Sequence, residues 1–153
     1  MDSLRNVAAL VGRILLALFF ILSGLNKLMN ISGTAAYMTQ VGISANLVQP
    51  ALYLSIAIEL ICGLLIIVGL QARWAALIIF LWFIPVTLLV HVAGYFQAVE
   101  QHQAIAALVQ QIMYLKNIAI MGGLLVLAAM GPGRFSIDGR SSAAGVSVAR
   151  RAA

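Results

Sequence analysis

The stretch Ala51–Leu70, ALYLSIAIELICGLLIIVGL, is twenty residues long, almost wholly apolar, and interrupted once by an acid, Glu59. At about 1.5 Å of rise per residue it covers roughly 30 Å, the thickness of a bilayer's hydrocarbon core. It predicts a transmembrane helix with a carboxyl group buried in it. An acid at the centre of such a helix costs about 2.5–3.5 kcal/mol on insertion scales, so it turns toward protein and away from lipid. At helical spacing from Glu59 lie Ser55, Cys62, Gly63 and Ile66, mostly small or polar. Leu54, Ala57, Ile61, Leu64 and Val68 lie opposite. Small residues let helices approach closely in lipid, and bulky aliphatics cover the lipid side. Glu59 therefore faces inward, either as a packing residue with a structural partner or as a functional group.

Composition agrees with that first helix. Of 153 residues, 63% are hydrophobic and 8% charged, whereas about a quarter of a soluble protein's residues are charged. Mean hydropathy is +1.08, and the class is an integral membrane protein. A net charge of +5 would suggest nucleic acid in a soluble chain. Here the basic residues flank apolar spans and form no patch with interleaved aromatics, so the expected partner is the lipid bilayer and not nucleic acid. The single cysteine, Cys62, excludes an internal disulfide and dithiol redox chemistry by this chain alone.

Working outward, the first span is expected at about Val7–Leu28, with Arg13 and Lys27 placed to snorkel toward opposite interfaces. A signal peptide competes, since Arg5 and Arg13 precede the apolar run Ile14–Leu22. No A-x-A-like cleavage site follows, however, and Ser23, Gly24, Asn26 and Lys27 look like a helix end. Asn30–Gln49 is a loop without charge, in which Ile31–Gln40 reads as a short interfacial helix ended by Gly42. Pro50 is expected to open the second span, at a first-turn position where a missing N–H costs little.

The tight turn Gln71–Arg73 makes spans two and three antiparallel neighbours. Span three, Trp74–Val92, carries Pro85, which breaks a backbone bond and predicts a kink. Ala93–Gln111 is a glutamine-rich segment whose second half, with Ile105, Leu108, Val109 and Ile112 at helical spacing, leads into the fourth span as an amphipathic helix. Span four, Ile112–Met130, contains Lys116 and the pair Gly122–Gly123, expected to permit close helix contact. Gly131, Pro132 and Gly133 stop it. The membrane domain is thus expected over 1–138. The small, polar, basic segment 139–153 has nothing to pack and is expected to be a mobile cytoplasmic tail.

With four spans, the N-terminus, the second loop and the tail share a side that holds Arg5, Arg13, Arg73, Arg134, Arg140, Arg150 and Arg151; Lys27 and Lys116 lie toward the other. This asymmetry places both termini in the cytoplasm and the Glu100 loop outside. The fold class expected is all-α: an antiparallel bundle of four transmembrane helices, N-in and C-in.

Leu115–Asp138, LKNIAIMGGLLVLAAMGPGRFSID, resembles the C-terminal signature of the DoxX family of small four-span bacterial inner-membrane proteins. Lys116 and Asn117 precede a Gly-Gly helix, and a Gly-Pro-Gly-Arg, aromatic, Ser, aliphatic, Asp run closes it. FFILSGLNKL (Phe19–Leu28) and ELICGLLIIVGLQAR (Glu59–Arg73) are similar in the same way, so the resemblance covers about residues 10–138. It implies a bacterial inner-membrane location. Members are associated with quinone-linked oxidation of thiosulfate or look like membrane partners of redox and stress-defence proteins, and the family supplies no agreed catalytic residues.

The intramembrane polar groups Glu59, Lys116, Asn117, Ser55, Ser23 and Lys27 form the candidate site. One reading makes the chain a membrane subunit or anchor of a redox assembly, with a quinone as the implied cofactor, Trp82, Phe80 and Phe83 as apolar walls, and a redox protein or a second copy as partner. On that reading it is an accessory subunit rather than a self-sufficient enzyme. A different class is a small carrier or proton path built on an intramembrane Glu/Lys pair, and a third is a membrane scaffold without chemistry. Haem is not expected, because His91 lies at a helix end and His102 in a loop. Taking Leu70 and Met130 as inner ends, Glu59 lies about 16 Å and Lys116 about 21 Å above the inner boundary, against about 27 Å for Lys27 and His91. The expected partner of Glu59 is therefore Lys116, with Asn117 or Ser55 taking the remaining hydrogen bonds.

Overall fold

Four helices are long and apolar enough to cross a membrane: Ser3–Met29, Ala45–Val68, Ala72–Glu100 and Ala104–Met130. The structure, a computed structural model, describes residues 2–139; the expected mobile tail lies outside them apart from Gly139. In chain order the elements are α1 (Asp2–Met29), α2 (Ile31–Gln40), α3 (Ala45–Val68), α4 (Ala72–Val86), a π-helical segment (Thr87–Val92), α5 (Ala93–Glu100) and α6 (Ala104–Met130). No strand occurs among the described residues. The chain is an all-α, antiparallel bundle of four transmembrane helices.

Each helix end has a local cause. Asn30 caps α2 by accepting a hydrogen bond from the Gly33 N–H at 3.2 Å. The second span begins earlier than Pro50, with Ala45 following Ser44 at the cap position. Pro50 therefore sits inside α3, where its missing N–H costs the single bond to the Asn46 carbonyl. Gly69 ends α3 in the left-handed region (φ +69°), and the N–H groups of Gly69 and Leu70 both reach the Leu65 carbonyl. The segment after Val92 is helical as well. Ala93–Val99 is largely apolar and continues the third span as α5, so only Gln101–Gln103 turns, with His102 at φ +56°. The break expected at Pro85 takes the form of the π-helical segment that begins two residues later.

The spans pack in sequence order. α1 lies chiefly against α3, α3 against α4, and α4 with the π segment against α6, while α1 and α6 touch lightly. The buried core contains Phe20, Ile66, Ile79, Phe83 and Leu124. Phe20 meets Phe19 and Phe83 edge-on, at centroid distances of 5.2 and 5.1 Å. Leu15, Leu22, Ile61, Leu64, Leu81, Leu89, Leu115 and Val126 are exposed. So many bulky aliphatics on the outside require lipid as their solvent.

The close helix approach is between α1 and α3. A methyl at Gly24 would lie 2.8 Å from Leu60 Cδ2 and 3.3 Å from Glu59 Cβ, and one at Gly63 2.9 Å from Ile21 Cγ1. The pair Gly122–Gly123, expected to do this, does not: Gly122 faces open space and Gly123 meets only the Leu16 side chain, at ordinary contact distance. Gly122 lies on the outer side of α6, the span with the smallest buried share.

At the Met130 end the segment after α6 closes the bundle. Arg13, 4% exposed, donates to the carbonyls of Pro132 and Phe135, each at 2.8 Å. Arg13, expected to snorkel to an interface, finds two backbone acceptors in this clasp instead, the Pro132 carbonyl buried and the Phe135 carbonyl partly so. The Asp138 carboxylate accepts from the N–H groups of Gln71 and Ala72 at 3.1 and 3.2 Å, supplying α4 with its N-terminal cap. Ser136 donates to the Gly133 carbonyl and packs onto Gly69, which leaves no room there for a side chain.

Candidate functional site

Two helical repeats build the polar centre. Ser23 and Lys27 are four apart on α1, Ser55 and Glu59 four apart on α3, and four residues is one turn, so each pair shares a face. Packing α1 on α3 brings the faces together. Lys27 Nζ donates to Glu59 Oε2 at 2.7 Å, to Oε1 at 2.8 Å and to Ser23 Oγ at 2.7 Å. Ser55 Oγ donates to Glu59 Oε1 at 3.1 Å and accepts from Trp82 Nε1 at 3.4 Å. The Glu59 side chain is 4% exposed and that of Lys27 23%. Glu59 does face inward, as Ser55, Cys62, Gly63 and Ile66 on its face are all buried.

The partner is Lys27 and not Lys116. Side chains on a helix lean toward its N-terminus. Lys27 on α1 therefore leans back into the bundle, while Glu59 on the antiparallel α3 leans toward it. Lys116 on α6 leans the other way and rests on the preceding turn, with Nζ 3.4 Å from Met113 Sδ and 4.6 Å from the Phe19 ring centroid. Lys27, expected to snorkel, is held by Glu59 and Ser23. Asn117, 2% exposed, donates to Thr87 Oγ1 of the π segment at 3.1 Å and takes no part in holding Glu59.

These groups line one cavity of about 390 Å³. Ser23, Lys27, Ser55, Glu59, Lys116 and Asn117 all reach its wall, so the structure brings every candidate residue to a single space. Phe19, Trp82, Phe83, Leu52, Leu89 and Met113 supply the apolar wall, and Thr34, Tyr37 and Met38 of α2 border it. Phe80, expected in the wall, packs against the core instead. Phe19 was missed, although Phe19, Ser23 and Lys27 repeat every four residues on one face. At the α2 end His91 Nδ1 lies 2.8 Å from Gln110 Oε1, and Gln110 Nε2 donates to Tyr37 Oη at 2.9 Å. Beyond this seam is a smaller cavity of about 180 Å³ bordered by Gln40, Gln97, Gln101 and Gln103. No sequence spacing links Tyr37, His91 and Gln110, which meet only through packing. Among the described residues no three of His, Cys, Asp and Glu come together as metal ligands would. The result is an apolar chamber with a hydrogen-bonded polar cluster in its wall.

Comparison with known proteins fits this architecture. The family model DoxX matches residues 8–92. The inner membrane protein YqjF of Escherichia coli (strain K12) is 34% identical over 140 residues, covering 90% of this chain and 95% of the relative. The inner membrane protein YphA of the same organism is 33% identical over 136 residues, covering 89% and 91%. No solved structure matches. The chain is an integral membrane protein, and it belongs to the DoxX family. The family model stops before Leu115–Asp138, whereas alignments covering about nine-tenths of the chain extend the likeness well beyond it.

Proposed function

We propose that the chain is a membrane subunit or anchor of a redox assembly and that the cavity between α1, α3, α4 and α6 is a binding site for an amphiphile of quinone size. The observation that supports it is the cavity itself: aromatic and aliphatic walls, with Lys27, Glu59, Ser55 and Lys116 among its polar lining. The names of the two relatives support a bacterial inner-membrane location. The arginine asymmetry supports cytoplasmic termini, which would turn the α2 border of the cavity toward the periplasm. A quinone is the cofactor this reading implies, with a redox protein or a second copy as partner.

A small carrier or proton path is the second reading. It draws on the intramembrane Lys27–Glu59 pair and on the His91–Gln110–Tyr37 hydrogen bonds that run from the large cavity to the glutamine-lined one. Purification in mild detergent with native lipids separates the two. A copurifying quinone or flavoprotein supports the first. PH-dependent flux in liposomes, with neither copurifying, would replace it by the second.

A further inference from the structure

The cavity has two ammonium groups and one carboxylate, and the carboxylate is taken. Both Glu59 oxygens accept from Lys27, and Oε1 also accepts from Ser55. Lys116 is left with a thioether and the face of a phenyl ring, which are weak partners for a group carrying three N–H donors. The chain has four acids in all. Asp138 caps α4 at the opposite end of the bundle, Glu100 closes α5 on an exposed surface, and Asp2 begins α1. No described carboxylate hydrogen-bonds to or ion-pairs with Lys116, and Glu59, already held by Lys27, acts on it only from a distance. A lysine facing the interior of a membrane bundle is costly without an acceptor, and such residues pair with one another or mark a ligand.

We propose that the cavity takes an anionic amphiphile, a single-tailed carboxylate of the fatty-acid type, with its head on Lys116 Nζ and its chain along Phe19, Trp82, Phe83 and Leu89. This rests on the reading of the cavity as a ligand site and adds a second ligand class to it. One negative charge balances the single unanswered ammonium. Lys27 remains with Glu59, because moving it would strand a buried carboxylate. A single tail matches a cavity of about 390 Å³ more closely than two would. The donors left open on Lys116 Nζ call for an oxygen acceptor, which a carboxylate supplies with charge and a neutral quinone without it.

The full chain, carrying Trp74→Phe so that Trp82 is its single tryptophan, is titrated in nanodiscs of zwitterionic lipid with a fluorescent polyene fatty acid, with its methyl ester, and with a short-tailed ubiquinone, by energy transfer or quenching from Trp82. The acid should bind saturably, and the ester about tenfold or more weakly, the loss expected for one charge-assisted hydrogen bond. Lys116→Met should bring the acid to the level of the ester and leave the ester unchanged, and Lys116→Arg should keep the preference. Equal binding of acid and ester overturns the proposal, and that comparison needs no variant. If the quinone still binds in that case, the ligand site stands without the anionic class. If none of the three saturates, the site itself falls.

Discussion

Lys27 and Glu59 are thirty-two residues apart in the chain and meet through both carboxylate oxygens, at 2.8 and 2.7 Å, where α1 packs on α3. Removing one member leaves the other's charge uncompensated inside the bundle. Lys27→Met and Glu59→Gln should therefore each lower stability in detergent by about 1–3 kcal/mol, between the values for polar contacts in membranes and for buried ion pairs in soluble proteins. The double variant should recover part of that loss in thermal melting. Lys116→Met combined with Glu59→Gln should couple less, because no hydrogen bond or ion pair joins these two groups and only their charges act on each other across the cavity. A larger coupling in the second cycle than in the first would overturn the pairing.

The same pair marks where sequence reasoning reached and where it stopped. The inward face of Glu59 was legible from Ser55, Cys62 and Gly63, since residue size sorts the lipid side from the protein side. Its partner was not. Counting rise per residue places Cα atoms, and Lys27 looked too far along its span. The reach that matters also includes the lean of each side chain, which has opposite signs on antiparallel helices. The number and order of the spans were readable from length and hydropathy, whereas Pro50 and the glutamines after Val92 suggested boundaries that the helices run through. Arg13 shows a further limit. Its charge suggested an interface, while its acceptors, the carbonyls of Pro132 and Phe135, belong to backbone more than a hundred residues away and leave no trace in side-chain pattern.

The α1–α3 contact yields a test of packing. At Gly24 added atoms meet Leu60 and the Cβ of Glu59, whereas at Gly122 nothing lies within 4 Å. Gly24→Val should cost about 1–3 kcal/mol through overpacking and, by spreading α1 from α3, should disturb the Lys27–Glu59 pair. Gly122→Val should leave the melting temperature unchanged or slightly raised, since glycine is a poor helix former. Equal losses at the two sites would show that α6 has a close neighbour on its outer face.

The clasp after α6 is open to a parallel experiment. Asp138→Ala removes the cap of α4 and should cost about 0.5–2 kcal/mol. Arg13→Met should cost more, because it strips charge-assisted donors from two carbonyls, one of them buried with the guanidinium. Thermal melting gives the two losses, and limited proteolysis should show cleavage within 131–138 appearing in both variants. Resistance to cleavage in Arg13→Met would mean that the segment is held without the guanidinium.

Orientation decides which compartment the cavity faces. The α2 end carries Lys27, His91 and the glutamine-lined space, and the clasp end carries Arg13, Arg73 and Arg134. Positive residues near span ends are retained in the cytoplasm, while acids contribute little to the choice. A reporter fused after Ala153 should therefore score as cytoplasmic, and one inserted beside Glu100 as periplasmic. The α2 border of the cavity, formed by a helix with no buried side chain, would then lie toward the periplasm. A cysteine at Gln101, introduced with Cys62→Ala to leave a single thiol, should react with a membrane-impermeant maleimide in intact spheroplasts. Reaction only after lysis, together with a periplasmic C-terminal reporter, would invert the molecule and turn the α2 border of the cavity toward the cytoplasm.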